Sequence, residues 1–125
     1  MPRRRREGSE PEDFLPLPGD TFDVLVSLAD DDRHGYAILQ DIAARTDGRI
    51  RLSPSTLYAV IKRLLESDLI EELSERPDPA HDDVRRRYYR LTALGRRVAK
   101  AEATRLTRLL SDARLSGLVP RRRER

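Results

Sequence analysis

Two short basic stretches are the parts of this sequence best suited to bind another molecule. Lys62 and Arg63 end the first, residues 49–63, which holds four basic residues and no acid. Residues 85–87 form the second, three consecutive arginines directly before two tyrosines. Guanidinium and ammonium groups hydrogen-bond phosphate oxygens and neutralise their charge. The two stretches therefore predict contact with a polyanion such as a nucleic acid.

The other reactive side chains form no recognisable catalytic or metal-binding set. The chain has no cysteine, which excludes disulfides, Cys-ligated zinc and thiol catalysis. Its two histidines, His34 and His81, lie far apart in the sequence, and we expect both to be exposed and without a function. Ser53 and Ser55 have no nearby histidine to act as a base. We therefore expect no enzyme, no catalytic residue, no metal and no cofactor.

Length and charge indicate one domain with a strongly segregated charge. The 125 residues allow one modest core. The net charge of +3 is made of +4 in residues 1–6, −12 in residues 7–84 and +11 in residues 85–125. No stretch approaches the ~20 apolar residues of a membrane span, and the N-terminus lacks the apolar segment of a signal peptide. We expect a soluble, cytoplasmic protein without membrane contact.

Apolar residues at a 3.6-residue period predict three helices in the first half of the chain. The first covers residues 20–29 with Asp20 as N-cap, and the second covers residues 35–46. The third covers residues 53–68, with Ser53 as its N-cap. It combines one continuous apolar face with an opposite face of small and basic residues. A helix of this kind suits the major groove of DNA, which is about 12 Å wide.

The second half predicts a hairpin and a long helix. Two strands, residues 69–74 and 86–91, flank a proline- and acid-rich loop, and residues 49–52 form a short extended link. The loop's acids should keep its tip away from phosphates; they are Asp78, Asp82 and Asp83. A helix over residues 93–115 carries an apolar stripe too long for so small a body, which predicts a partner helix from a second subunit. The fold class is mainly α with a small β-hairpin wing: a winged helix-turn-helix plus a long C-terminal dimerisation helix.

Four segments follow from this organisation. Residues 1–19 are predicted to be a disordered arm, because prolines, glycines and charges cannot bury enough surface to fold. Residues 20–92 form the winged helix-turn-helix domain. Residues 93–116 form the dimerisation helix, and residues 117–125 form a basic tail.

Several motifs resemble those of the PadR family of transcriptional regulators over about residues 20–115. They are His34-Gly35-Tyr36-Ala37-Ile38, Ser55-Thr56-Leu57-Tyr58, Leu64 with Leu69-Ile70, and Arg87-Tyr88-Tyr89-Arg90-Leu91-Thr92 with Gly95. The resemblance implies a homodimeric winged-helix repressor that binds double-stranded DNA, in many cases until a small-molecule effector arrives. With its single C-terminal helix, the chain resembles the compact branch of the family. The resemblance implies that this helix pairs with the last and first helices of the partner subunit.

The sequence departs from the family pattern after the third helix. Ser67-Asp68 stands where the family usually has a glycine. We expect either side-chain capping or a left-handed residue at this helix end. The chain also has no tryptophan, so members that stack flat drugs on an interface tryptophan are a poor guide to its effector.

Resemblance and charge together give two sets of candidate residues. The predicted DNA-binding residues are Tyr36, Ser55, Thr56, Tyr58, Lys62, Arg63, Arg86 and Arg87. The predicted dimer interface consists of Phe22, Leu25, Val98, Leu106, Leu109 and Leu110. For two of the tyrosines a structural role stays open: Tyr58 packs under the wing, or Tyr36 anchors the second helix.

Two other functions also stay open. The acidic body favours a winged-helix protein-interaction module without sequence-specific DNA binding. The arginine-rich ends favour, more weakly, a binder of RNA or of a membrane surface.

Overall fold

The protein is mainly helical, with two small antiparallel sheets. Our computed structural model describes residues 10–78 and 80–120, and only the backbone of residues 81–84. A short 3-10 helix, Pro11–Phe14, precedes the main elements. The helices are α1 (Gly19–Ser27), α2 (Gly35–Arg45), α3 (Pro54–Glu66) and α4 (Ala93–Leu115). The strands are β1 (Arg33–His34), β2 (Ile70–Glu72), β3 (Arg76–Asp78), β4 (His81–Arg86) and β5 (Tyr88–Leu91).

The wing differs from the predicted hairpin. The predicted loop, residues 75–84, contains β3 and part of β4, which pair with each other as a two-stranded sheet. The segment predicted as one strand, residues 86–91, is divided between β4 and β5, because Arg87 belongs to neither strand. A second sheet has the order β1-β5-β2. Its short strand β1 lies before α2, whereas residues 49–52 form no strand.

One core joins the three helices of the first half to the sheet and the start of α4. Its fully buried members include Val24, Ile38, Leu57 and Val98. The close approach of α4 to the sheet depends on Gly95, because a Cβ there would collide with the main-chain oxygen of Leu69. This contact fixes where the long helix leaves the domain.

Two predicted dimer residues are instead core residues of the single chain. Leu25 and Val98 are both 0% exposed, because α1 packs on the first half of α4 within the same chain. The prediction that these two face a partner is wrong. Phe22 and Leu106 are partly buried, and Leu109 and Leu110 are exposed. Only the C-terminal half of the α4 stripe is left uncovered.

Residues 10–18 form an ordered strap rather than part of a disordered arm. The side chains of Phe14, Leu15 and Leu17 pack against the core. The main-chain N–H of Leu17 donates to Oε2 of the buried Glu102 at 3.1 Å. Arg105 donates to both oxygens of Glu102 at 2.6 and 3.0 Å, which lowers the pKa of that carboxyl. Residue composition does not predict the strap, because its hydrogen-bond partner Glu102 lies 85 residues away in the sequence.

The two chain ends and the start of α1 also bear on the predicted segments. Residues 1–9 of the arm and 121–125 of the basic tail lie outside the described residues. Helix α1 begins at Gly19 and ends at Ser27, so Pro18 stands at its N-cap without a side-chain hydrogen bond. The prediction of Asp20 as N-cap is therefore wrong.

The end of α3 uses both of the expected devices. Asp68 adopts a left-handed conformation with φ of 62°. The hydroxyl of Ser67 donates to the carbonyl of Arg63 at 2.9 Å. The N–H of Leu69 then donates to the carbonyl of Leu64 at 3.0 Å, which is the long bond of a Schellman motif. The chain thus turns from α3 into β2 without a glycine.

Candidate nucleic-acid interface

Helix α3 presents its small and basic face to solvent. The hydroxyl of Ser53 accepts the N–H of Thr56 at 3.1 Å, which confirms the predicted cap. The apolar face is buried: Leu57, Val60, Ile61 and Leu64 are each at most 2% exposed. The opposite face is exposed and carries the predicted residues Ser55, Thr56, Tyr58, Lys62 and Arg63. Burial of one face therefore fixes which side chains can meet a groove.

Tyr58 joins α3 to the start of α2 and is still half exposed. Its ring and hydroxyl lie so close to Gly35 that a Cβ there would collide with them. Its exposed fraction is 51%, and that of Tyr36 is 52%. The guanidinium of Arg86 lies 5.6 Å from the centre of the Tyr36 ring, within range of a cation–π contact. Both tyrosines thus combine a structural contact with an accessible surface.

Asp78 is buried and paired, contrary to the prediction that it repels phosphates. Its side chain accepts from Nε of Arg86 at 2.8 Å and from the N–H of Ala80 at 3.0 Å. Nε2 of His34 lies 3.6 Å from the same carboxylate. The Ala80 hydrogen bond, with a further contribution from Arg86, lowers the pKa of Asp78. This carboxylate therefore attaches the wing to the body. The side chains of Asp82 and Asp83 lie outside the described part.

His34 is buried and has a structural role, so its predicted exposure is wrong. Its Nδ1 accepts the N–H of Ala37 at 3.1 Å and caps α2. Its ring meets the edge of Tyr88 at a centroid distance of 5.2 Å. Burial lowers the pKa of His34. Arg76 also contacts Tyr88: its guanidinium lies 3.9 Å from the ring centre, and it lies 3.6 Å from the carboxylate of Asp32. The side chain of His81 is not described.

The arginines at the base of the wing differ in how far they are already engaged. Arg86 is already engaged, because it donates to the buried Asp78. Arg87 is exposed, and its Nε is 3.8 and 3.9 Å from the carboxylates of Glu72 and Glu75. Arg85 is exposed and, among the described residues, donates to the main-chain oxygen of Glu75 at 3.2 Å. Arg85, which was not among the predicted residues, is therefore as available as Arg87. The arginine triplet was visible in the sequence, but the side-chain directions were not.

Residues 10–78 and 80–120 contain no group of three metal-ligating side chains. Within the same residues, no helix is long and apolar enough to span a membrane.

Comparison with known proteins agrees with this geometry. A family model described as "Transcriptional regulator PadR-like family" matches residues 24–101, which is more than half of the chain. The chain belongs to this family. Membership of the PadR-like family confirms the resemblance of its motifs.

Solved structures similar to this PadR-like chain share its fold. A transcriptional regulator from Clostridium thermocellum has 25% identity and a TM-score of 0.65, covering 81% of this chain and 90% of that one. A PadR family transcription regulator from Clostridium difficile has 21% identity and a TM-score of 0.65, with coverages of 78% and 97%. The winged helix-turn-helix assignment is therefore confirmed.

Two curated relatives are longer than the matched region. "Uncharacterized protein X" of Lysinibacillus sphaericus is 37% identical over 73 residues, 58% of this chain and 64% of the relative. An uncharacterized 37.1 kDa protein in transposon TN4556 of Streptomyces fradiae is 38% identical over 96 residues, 77% of this chain and 24% of the relative. The chain thus spans less than two thirds of either relative.

Proposed function

We propose that this protein represses transcription as a homodimer bound to an inverted-repeat operator. The observation that carries the proposal is the exposed face of α3, small at Ser55 and basic at Lys62 and Arg63, on a helix whose other face is buried. A helix with such a face fits the major groove, and the wing arginines then lie where a phosphate backbone passes. Two copies would read half-sites about one helical turn apart.

The proposed dimer forms through the C-terminal half of α4. Leu109 and Leu110 are 55% and 42% exposed there, and Leu106 is partly buried. A row of exposed leucines on a helix that projects from the domain favours a second copy of the same helix as its cover. The interface is therefore narrower than the sequence predicts, because the first half of the stripe is already covered.

We further propose that a small-molecule effector releases the DNA. The resemblance of the sequence motifs to those of PadR repressors supports this step. An effector that binds the two-chain assembly differently in its free and DNA-bound forms would shift the equilibrium by its differential affinity.

The experiment is selection of a binding site from random or genomic DNA, followed by fluorescence anisotropy at several salt concentrations. The triple variant K62A/R63A/R87A should bind the selected site at least about 100-fold more weakly, because phosphate and base contacts are lost together. The triple variant R97A/K100A/R108A removes the same charge from exposed positions on α4, so it serves as the charge-matched control and should bind normally. Equal affinity of the triple variant and wild type would contradict the proposal.

A protein-interaction module is the second candidate, favoured by the charge of −12 over residues 7–84. The same titration separates the two. Absence of DNA binding even at about 50 mM salt, where nonspecific electrostatic binding is strong, would favour the module.

A further inference from the structure

A cleft of about 330 Å³ lies between the base of the wing and the start of α2. We call it the wing-base cleft. Its walls are formed by Arg85, Arg86, Arg87, Tyr58 and Gly35, together with His34 and Tyr89. The volume is at the lower end of the range for small-molecule sites. It suits a compact group such as a phosphate with a small organic substituent.

The charge of the cleft is positive and incompletely neutralised. None of its lining residues in the described part of the chain is acidic. Arg86 is held by the buried Asp78, so it supports the wall. Arg87 is too far from Glu72 and Glu75, at 3.8 and 3.9 Å, to donate a good hydrogen bond to either. Arg85 uses one N–H on a main-chain oxygen and, among the described residues, pairs with no carboxylate. Two guanidinium groups therefore remain to bind an anion.

The opposite wall contributes a hydroxyl and a helix terminus. The Tyr58 hydroxyl lies over Gly35, where any other residue would collide with it. Gly35 is the first residue of the eleven-residue helix α2. The N-terminal end of a helix carries a partial positive charge. Arginines, a hydroxyl and this helix end thus surround one space from different elements.

We propose that the wing-base cleft binds one phosphate group, and that a free phosphorylated small molecule bound there competes with DNA. Arginine forks recognise phosphate through paired hydrogen bonds, which an isolated charge on the surface does not provide. A phosphodiester of the operator backbone and a free phosphate ester present the same chemistry to this cleft. The competition rests on the proposed DNA-binding function, whereas phosphate binding by the cleft does not.

The first test titrates the free protein with inorganic pyrophosphate at constant ionic strength. Main-chain amide NMR shifts of Gly35 and its neighbours should saturate, and sodium chloride at matched ionic strength should not reproduce them. The variant R85Q/R87Q should bind pyrophosphate at least about tenfold more weakly, because charge-assisted hydrogen bonds are lost. R90Q/R97Q is the charge-matched control, since Arg90 and Arg97 are both exposed and neither lines the cleft. Shifts that do not saturate, or equal effects of R85Q/R87Q and R90Q/R97Q, would overturn the proposal.

A milder variant keeps this test independent of folding. Tyr58→Phe removes one hydroxyl and leaves the ring in place over Gly35. It should weaken pyrophosphate binding severalfold while the thermal midpoint stays near that of wild type. Unchanged pyrophosphate affinity in both Y58F and R85Q/R87Q would show that the cleft is not the binding site.

The second test separates the two sources of phosphate. Uncharged methylphosphonates replace the phosphates of the selected DNA one at a time. At one phosphate position, the methylphosphonate should weaken DNA binding by wild type but not by R85Q/R87Q. The phosphate charge and the two arginines would then form the same contact, so removing both costs no more than removing one. Pyrophosphate should also displace this DNA at constant ionic strength. Saturating pyrophosphate without displacement would overturn the competition. A wild type that binds no DNA would refute the proposed function, while the pyrophosphate titration would still decide whether the cleft holds phosphate.

Discussion

Replacing Leu109 and Leu110 by glutamine should separate the proposed dimer into folded monomers. Full burial of a leucine side chain is worth about 2 kcal/mol. These leucines are 55% and 42% exposed in the single chain, so covering the exposed part contributes about 1 kcal/mol each. Over two leucines on two chains the loss is about 4 kcal/mol, a rise of about 10³-fold in the dimer dissociation constant. Glutamine is a good helix former, so α4 should stay helical.

Sedimentation equilibrium over a wide concentration range measures this constant directly, and circular dichroism checks the helix content. Arg108 lies on the exposed side of the same helix, so the control substitution Arg108→Gln should leave the dimer dissociation constant unchanged. Val98→Ala should lower the stability of each chain, because Val98 is buried inside it. Equal dissociation constants for wild type and L109Q/L110Q would refute the assignment of the interface to this half of α4.

Three further predictions concern stability. Ser53→Ala should lower the free energy of unfolding by about 1 kcal/mol and the thermal midpoint by about 4 °C, whereas Ser53→Asp should keep the cap; calorimetry that finds all three midpoints equal would contradict it. Gly95→Ala should cost about 1–3 kcal/mol in urea titrations, because the carbonyl of Leu69 cannot move away from the new methyl; an unchanged midpoint would contradict the close packing. Burial lowers the pKa of His34, so the folded state prefers the neutral ring. Its contribution to stability is complete above the ordinary pKa of about 6.5 and is lost as the pH falls toward the lowered value. Relative to His34→Asn, which can cap but does not titrate there, wild type should lose stability as the pH falls below about 6.5, and parallel profiles would refute this.

The sequence predicts those elements whose signals are local. Helix α3 has an apolar face at helical spacing and a serine cap at its first turn, and both are present as expected. The long helix α4 likewise ends where its stripe ends. The exposed face of α3 followed directly, because the position of the buried face determines that of the opposite one. Periodicity identifies a buried face, but it does not say which chain covers it. For that reason the sequence predicts that Leu25 and Val98 face a partner, although both are buried within the single chain.

The wing could not be predicted because its strands depend on distant contacts. Residues 76–78 include a proline and an acid, which are uncommon in strands. Pairing with β4, the contact of Arg76 with Tyr88 and the pairing of Asp78 with Arg86 stabilise them instead. None of these contacts has a signature at short range. The strap could not be predicted for the same reason, because the main-chain N–H of Leu17 donates to the carboxylate of Glu102 on the distant helix α4.

The acidic body determines which arginines near the wing can bind a phosphate. Asp32 pairs with Arg76, Asp78 with Arg86, and Glu71 with Arg90. A count of basic residues would treat all of these arginines alike. An arginine that is paired with a carboxylate must give up that ion pair before it binds a phosphate. The exchange reduces the free energy gained on phosphate binding. The cost is smaller for Arg87, whose two ion pairs are long, and for Arg85, whose contact in the described part of the chain is to a main-chain oxygen. The negative charge of the body therefore acts locally, by leaving two arginines of the triplet available and committing the middle one to the attachment of the wing.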